Sequence, residues 1–418
     1  MACLQAADIL LPAEGIDRET WAVIACDQFT SQPEYWEQVR RQVGEAPSAL
    51  HMIYPEVYLE GDNRETYESR IRRIQEQMEA YLADGRLTER VRNGYVLTVR
   101  ETGAGLRIGL IAAIDLEAYD YSPDAKSLIR ATEATVQSRI PVRVGIRKNA
   151  PVEMPHVMML FDDRRCLLES LYERREELPR LYDTRLMFGG GRVSGYALEG
   201  DWAESVTASL EQMEAEAGEV FLAAGDGNHS LAAAKACWEL RREGLTEQER
   251  QTHPARYALA EIVNLYSQSL IFHPIHRVLF GEEPEILRGE FLTWMKKRGI
   301  GFRETDGGEA ADMTFLLDEQ AAGILLPDCK LPVRVLQEFL DEYIDLHPGL
   351  KLDYVHSREA VARLADAEKT CGILLRGIDK EMLFPSIAAG GVMPRKTFSI
   401  GEDCEKRYYM ECRKLSLP

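Results

Sequence analysis

"EVFLAAGDGNHSLAAAKACWEL", residues 219–240, is the stretch on which the fold reading turns. Its apolar run through Ala224 has the length of a buried strand. Gly225, Asp226, Gly227, Asn228 and His229 follow, and an alanine-rich segment then continues as a helix. A strand feeding a glycine turn feeding a helix is the usual geometry of an anion site. The first amides of a helix have no acceptor within it, and its dipole favours negative charge there. Gly225 and Gly227 permit left-handed backbone and close ligand approach. His229, in the first turn, can donate to a phosphate oxygen or carry a proton. Asp226 would repel a phosphate unless a cation lay between them, which points to magnesium at that carboxylate. The same residues also read as a plain helix cap, with Asp226 or Asn228 accepting from the free amides. No Gly-Lys-Ser/Thr follows, so the turn is not a P-loop.

Outward from this stretch, strands and helices are intermixed. Apolar runs at 20–29 and 155–163 read as strands, 94–116 as two strands about a glycine turn, and 256–280 as two more. Helices are expected over 33–44, 63–85, 122–140 and 166–178. In the second of these Tyr67, Ile71, Ile74, Met78 and Tyr81 recur at three- and four-residue spacing. Several neighbouring strands read as antiparallel, so the expectation is an α+β fold with mixed β-sheets flanked by helices. Gly189–Gly191 forbid a helix or central strand and read as a lid or a loose connection. They suggest a division near residue 200, giving an N-terminal domain over 1–200 and a C-terminal domain over 201–418. One interlocked unit is the alternative.

With 50 Lys and Arg against 69 Asp and Glu, the net charge is −19, which excludes a duplex nucleic acid partner. No apolar run approaches the roughly 20 residues of a membrane span. The eight cysteines form no Cys-x-x-Cys pair. Together with an N-terminus lacking a basic flank, they suggest reduced thiols in a cytoplasmic protein.

Other segments could carry chemistry. In "FHPIHRVLF" (272–280), His273 and His276 would suit a metal only on a helix, whereas Arg277 suits an anion clamp. In "LIRATEAT" (128–135), Arg130 and Glu133 read either as an ion pair at i, i+3 or as a phosphate-reading arginine with a general base. "GGVMPRKTFSIG" (390–401) sets Arg395 and Lys396 behind a glycine bend, a phosphate-binding element or a plain surface loop. Asp27 and Gln28 stand just past a strand end, where ligands of α/β sheets gather.

The order of "WAVIACDQF", "ETGAGLRIGLIAAIDLEAYD", "LIRATEAT", "GDGNHSLAAAK", "HPIHRVLF" and "GGVMPRKTFSIG" resembles the prokaryotic family called domain of unknown function 1015, over roughly residues 5–415. That family carries Asp-Gly-His-His-Arg at the central motif. Here the residues are Asp226, Gly227, Asn228, His229 and Ser230, so the first histidine and the arginine are replaced. Where the family shows Lys-Lys-His-Glu, this chain has Arg130, Ala131, Thr132 and Glu133. The central motif is also similar to that of free-serine kinases on a ParB/sulfiredoxin-like core, where it handles nucleotide phosphates and a separate glutamate serves as base.

These readings converge on phosphoryl transfer between ATP or ADP and a small hydroxylated metabolite such as serine or phosphoserine, with magnesium at Asp226. Glu133, Asp226 and His229 are the expected catalytic residues. Gly225, Gly227, Asn228, Arg277, Arg395 and Lys396 are the expected phosphate contacts. A non-catalytic regulatory protein that binds a small anion or nucleotide, and a metal-dependent hydrolase, are the alternatives.

Overall fold

A computed structural model of the chain describes residues 2–59, 66–135, 140–307, 310–317 and 321–416. Contacts divide the chain into Met1–Ile271 with Gly401–Pro418, and Phe272–Ile400. The expected division near residue 200 does not coincide with this one. The strand Arg192–Leu198 and the helix Asp201–Glu216 lie on either side of it and both belong to the first unit.

The first unit is built on an eleven-stranded mixed sheet. Residues 222–226 lie between 129–131, which run parallel to them, and 158–161, which run antiparallel. Residues 257–264, 105–115, 87–102, 192–198 and 180–185 continue the sheet in that order. Side chains along the strands alternate between two cores, as a strand's period of two requires. Val96, Ile111 and Leu259 face one core, packed by the helices Pro33–Val43 and Tyr67–Ala83. Leu97, Leu110 and Ala260 face the other, packed by Leu167–Glu173, Asp201–Glu216 and Asn228–Arg242. The α+β arrangement of mixed sheet and flanking helices is therefore as the sequence suggests. Among the described residues no helix is long and apolar enough to cross a membrane.

Two local expectations are corrected. Residues 129–131 form a strand rather than the middle of a helix, and Ile140–Arg147 are helical; residues 136–139 lie outside the described residues. Residues 18–21 are helical, and the strand expected over 20–29 shrinks to one bridge between Ile24 and Arg407.

The glycine run at 189–191 turns the chain between the strands Arg180–Arg185 and Arg192–Leu198. A Cβ at Gly190 would stand 2.7 Å from Arg407 Nε, and one at Gly191, where φ is +79°, 2.5 Å from the Glu101 carbonyl. Arg100 Nη1 donates to the Gly190 carbonyl, and Arg407 Nη2 donates to Met187 O at 2.8 Å. Glycine is needed here because two buried guanidinium groups lie against the turn.

Nearby, Thr98 Oγ1 donates to Glu261 Oε1 at 3.0 Å and Arg107 Nη2 to Tyr409 Oη at 2.8 Å. Tyr182 Oη donates to Glu411 Oε1 at 2.6 Å, while Glu411 Oε2 has no partner among the described residues. Burial, opposed by the Tyr182 bond and reinforced by Glu261, pushes the Glu411 pKa up to about 7. An acid whose folded pKa is raised keeps its proton after the unfolded chain has lost it. Stability should therefore fall as pH rises from about 4.5 to about 7, by about 3 kcal/mol in total. Urea melts at pH 5 and pH 8 measure this fall, and Glu411→Gln is expected to remove most of it.

In the second unit, residues 303–305, 321–325, 313–316, 370–375, 276–280 and 351–355 form a six-stranded sheet in that order, every pair antiparallel. The helices Pro284–Lys297 and Pro332–Leu346 each start at a proline, which lacks the amide that a first turn leaves unused. Phe291 packs against Phe315 and Phe339, with ring centroids 5.9 and 5.0 Å apart.

Candidate functional site

The strand pairing of the first unit brings three chain segments to one place. Residues 129–131 run parallel to 222–226, with Ala131 opposite Ala224, so both strands end side by side. Thr132 Oγ1 donates to the Ala224 carbonyl at 2.6 Å and fixes that register. The strand Met158–Phe161 runs the other way, and Met158 stands opposite Asp226 across an irregularity at Gly225. Glu133, Asp226 and His156 therefore emerge at the same edge.

Gly227 follows with φ at +76°, and a Cβ there would stand 2.9 Å from Val157 Cα. A glycine is thus required by both conformation and space. The helix Asn228–Arg242 starts without a side-chain cap. The amides of Ser230 and Leu231 both donate to Gly227 O at 3.0 Å, so those of Asn228 and His229 precede the first intrahelical bond. Asp226 Oδ1 accepts from the Gly227 amide at 3.0 Å, and His229 is half-buried. Asn228 Oδ1 is buried with no hydrogen-bond partner among the described residues.

The opposite wall comes from two segments far apart in the chain. Ala25 N donates to Lys406 O at 2.8 Å and Tyr408 N to Val23 O at 3.0 Å. This pairing sets Asp27 and Lys406 beside the turn. Lys406 Nζ is 4.0 Å from Asp226 Oδ2 and 4.0 Å from Asp403 Oδ1. Burial lowers its pKa, but Asp226, Asp403, Asp27 and Glu133 outweigh burial and hold it above the ordinary lysine value. Asp27 accepts from Gln28 Nε2 at 3.0 Å, and its Oδ2 lies 3.6 Å from Arg143 Nη2 and 4.0 Å from His156 Nε2. Burial raises the Asp27 pKa, yet His156, Arg143, Gln28 and Lys406 bring it below the usual carboxylate value. Arg143 also pairs with Glu56. Ser230 Oγ lies 3.3 Å from the same His156 Nε2, and the Tyr408 ring meets the His156 ring edge-on at 4.9 Å. Burial and the charge of Asp27 push the Cys26 thiol up to about 12, so it stays protonated at neutral pH.

Of the residues singled out in the sequence, Glu133, Gly225, Asp226, Gly227, Asn228 and His229 all lie at this edge of the first unit. Arg277, Arg395 and Lys396 belong to the second unit. Arg277 is fully buried there. Its Nε donates to Gln337 Oε1 at 2.9 Å, its Nη1 to Ile275 O at 2.6 Å, and its guanidinium lies 4.5 Å from the Tyr354 ring centroid. It is an internal strut, which corrects the anion-clamp expectation. Arg395 and Lys396 are exposed, and Arg395 Nε donates to Tyr354 Oη at 3.2 Å. His276 Nδ1 accepts from Leu375 N at 3.0 Å, and burial with Arg358 lowers its pKa to about 4. Arg130 is buried and donates to Ser127 O and Glu219 O at 2.8 and 2.9 Å. Among the described residues, no group of three or more His, Cys, Asp or Glu could hold a metal ion.

A family model described as protein of unknown function, DUF1015, matches residues 10–343. The chain is a DUF1015 protein. No curated protein matches it. Among solved structures it is similar to a free serine kinase in complex with AMP, at 13% identity over 73% of this chain and 92% of that chain, with a TM-score of 0.38. It is also similar to a C-terminally truncated SbnI from Staphylococcus aureus, at 9% identity over 74% and 87%, TM-score 0.38. A conserved hypothetical protein from Pyrococcus furiosus matches at 11% identity over 73% and 95%, TM-score 0.37. Likenesses at this level assign no role to any residue of the DUF1015 chain.

Arg143, His156 and Lys406 belong to no motif noticed in the sequence; the helix Ile140–Arg147 carries the first, and strand pairings bring the other two to the turn. In this DUF1015 protein Ser230 faces His156. Within the first unit, Lys406 and Arg143 are cations beside the motif and Asp27.

Proposed function

We propose that this DUF1015 protein transfers a phosphoryl group between a nucleotide and a small hydroxylated metabolite. One observation carries the reading: an uncapped helix start follows Asp226, whose Oδ2 lies 4.0 Å from the half-buried ammonium of Lys406, with Asp27 beside the turn and Glu133 just past the adjoining strand end. The amides of Asn228 and His229 hold phosphate oxygens at the positive end of the helix dipole. Lys406 offsets the charge that builds on the transferring group. Glu133 takes the proton of the metabolite hydroxyl as its oxygen bonds to phosphorus and the bond from phosphorus to the leaving phosphate oxygen breaks. His229 donates to a phosphate oxygen.

The donors also suit magnesium, which prefers oxygen ligands and usually binds through one or two carboxylates plus phosphate. Asp226 and Asn228 Oδ1, which has no hydrogen-bond partner among the described residues, would hold it, and it would neutralise phosphate charge there.

The test is turnover with ATP or ADP, magnesium and a panel of hydroxylated metabolites that includes serine and phosphoserine, alongside nucleotide calorimetry. Turnover is expected in the wild type, with a loss of about 100-fold or more in Asp226→Asn and His229→Ala. Absence of nucleotide binding would overturn the reading. A second reading is favoured by Ser230: with no guanidinium at that position, the site would bind nucleotide without turning it over, and calorimetry with no product would assign it.

A further inference from the structure

A partly enclosed cavity of about 120 Å³ opens beside the first turn of the helix Asn228–Arg242. Its polar lining includes Arg143, His156 and Ser230, the first two of which contact Asp27, together with the ion pair of Arg147 and Glu153. Most of the remaining wall is apolar, with Met52, Ile53, Met78, Ile146, Ala234 and Leu259. An apolar cavity of about 150 Å³ holds a benzene molecule, so this one has room for a compact hydrocarbon group. Alanine at 233 and 234 keeps the helix side of the wall low where a larger residue would fill it.

We propose that this cavity is the metabolite pocket, and that it takes a small hydroxylated acid carrying a branched apolar tail in preference to serine. The proposal rests on the phosphoryl-transfer reading for its chemistry, but the pocket itself is read from its walls. Donor groups at one end suit a carboxylate and hydroxyl head. The apolar remainder would be left against water by a serine side chain, whereas a tail of three or four carbons fills it. Filling releases that water and gains contact with the methionine and isoleucine side chains.

The probes are L-serine and β-hydroxyleucine, which share a head group and differ by an isopropyl tail. Binding is measured by calorimetry, with and without ADP, and transfer by turnover. β-Hydroxyleucine is expected to bind about 50-fold tighter than serine, from three more carbons taken out of water. Ala234→Val and Met78→Phe, which narrow the cavity, are each expected to cut that ratio about fivefold or more. Equal binding of the two probes by the wild type overturns the proposal, as does a ratio that survives in both variants. The wild-type comparison stands even if one variant fails to fold. A tail preference with no nucleotide binding would leave the pocket assigned and sink the phosphoryl-transfer reading; nucleotide turnover with no tail preference would do the reverse.

Discussion

Glu133→Gln should lower turnover by about 100- to 10,000-fold while changing nucleotide affinity less than about threefold. The side chain stands just past the strand of residues 129–131, and the bond from Thr132 to Ala224 locks that strand end beside Asp226. Glutamine keeps the size of the side chain and removes only its capacity to take a proton. In the proposed reaction the phosphate contacts come from the helix amides, which the substitution does not touch. Activity should therefore collapse in kcat. Steady-state kinetics across pH 5 to 9, with calorimetry for the nucleotide, separate these effects. Unchanged kcat would remove Glu133 from the reaction and turn attention to Asp27, another carboxylate acting on Lys406.

The second large effect is on stability. Glu153 is buried where four segments meet. It accepts from Leu259 N at 3.0 Å, from Arg413 Nε at 2.7 Å and from Arg147 Nη1 at 2.6 Å. Burial alone would raise its pKa, but Arg147 and Arg413 outweigh burial and hold it below the ordinary glutamate value. Glu153→Ala leaves the buried Arg413 guanidinium without a counter-ion and the Leu259 amide without an acceptor. A loss of about 3–5 kcal/mol is expected, read as a lower denaturant midpoint at unchanged slope. Because its folded pKa is depressed, the carboxylate stabilises the fold above its unfolded pKa, and that contribution disappears as pH falls through the folded value. Wild type and variant should therefore converge in strong acid.

The central strand, turn and helix were legible because length, glycine placement and alanine content all agree there. The helix at 67–83 was legible for a similar reason, since its apolar spacing fits one period only. The segment 122–140 misled because Ile129 and Ala131 form too short an apolar run to fix a period. What makes them a strand is pairing with residues 222–224, nearly a hundred positions away. The same limit hides half of the site. Asp226 and His229 announce themselves through their glycines, whereas Lys406 is an ordinary surface lysine until its backbone pairs with Ala25. Arg277 illustrates the converse. It has the residue type of an anion clamp, yet a neighbouring strand, Gln337 and the Tyr354 ring enclose it.

The first unit is interrupted by the whole of residues 272–400 before its final segment arrives. Lys406, Tyr408 and Arg413 thus leave the ribosome only after the inserted unit, although they bond to Ala25, Val23 and Glu153, which emerge well before it. A nascent chain can lay down most of the large sheet but cannot assemble the charged pocket until the insertion has been made. Competence for ligand is in this way tied to translation past residue 400, and messages truncated anywhere in the inserted unit should yield products with no working pocket.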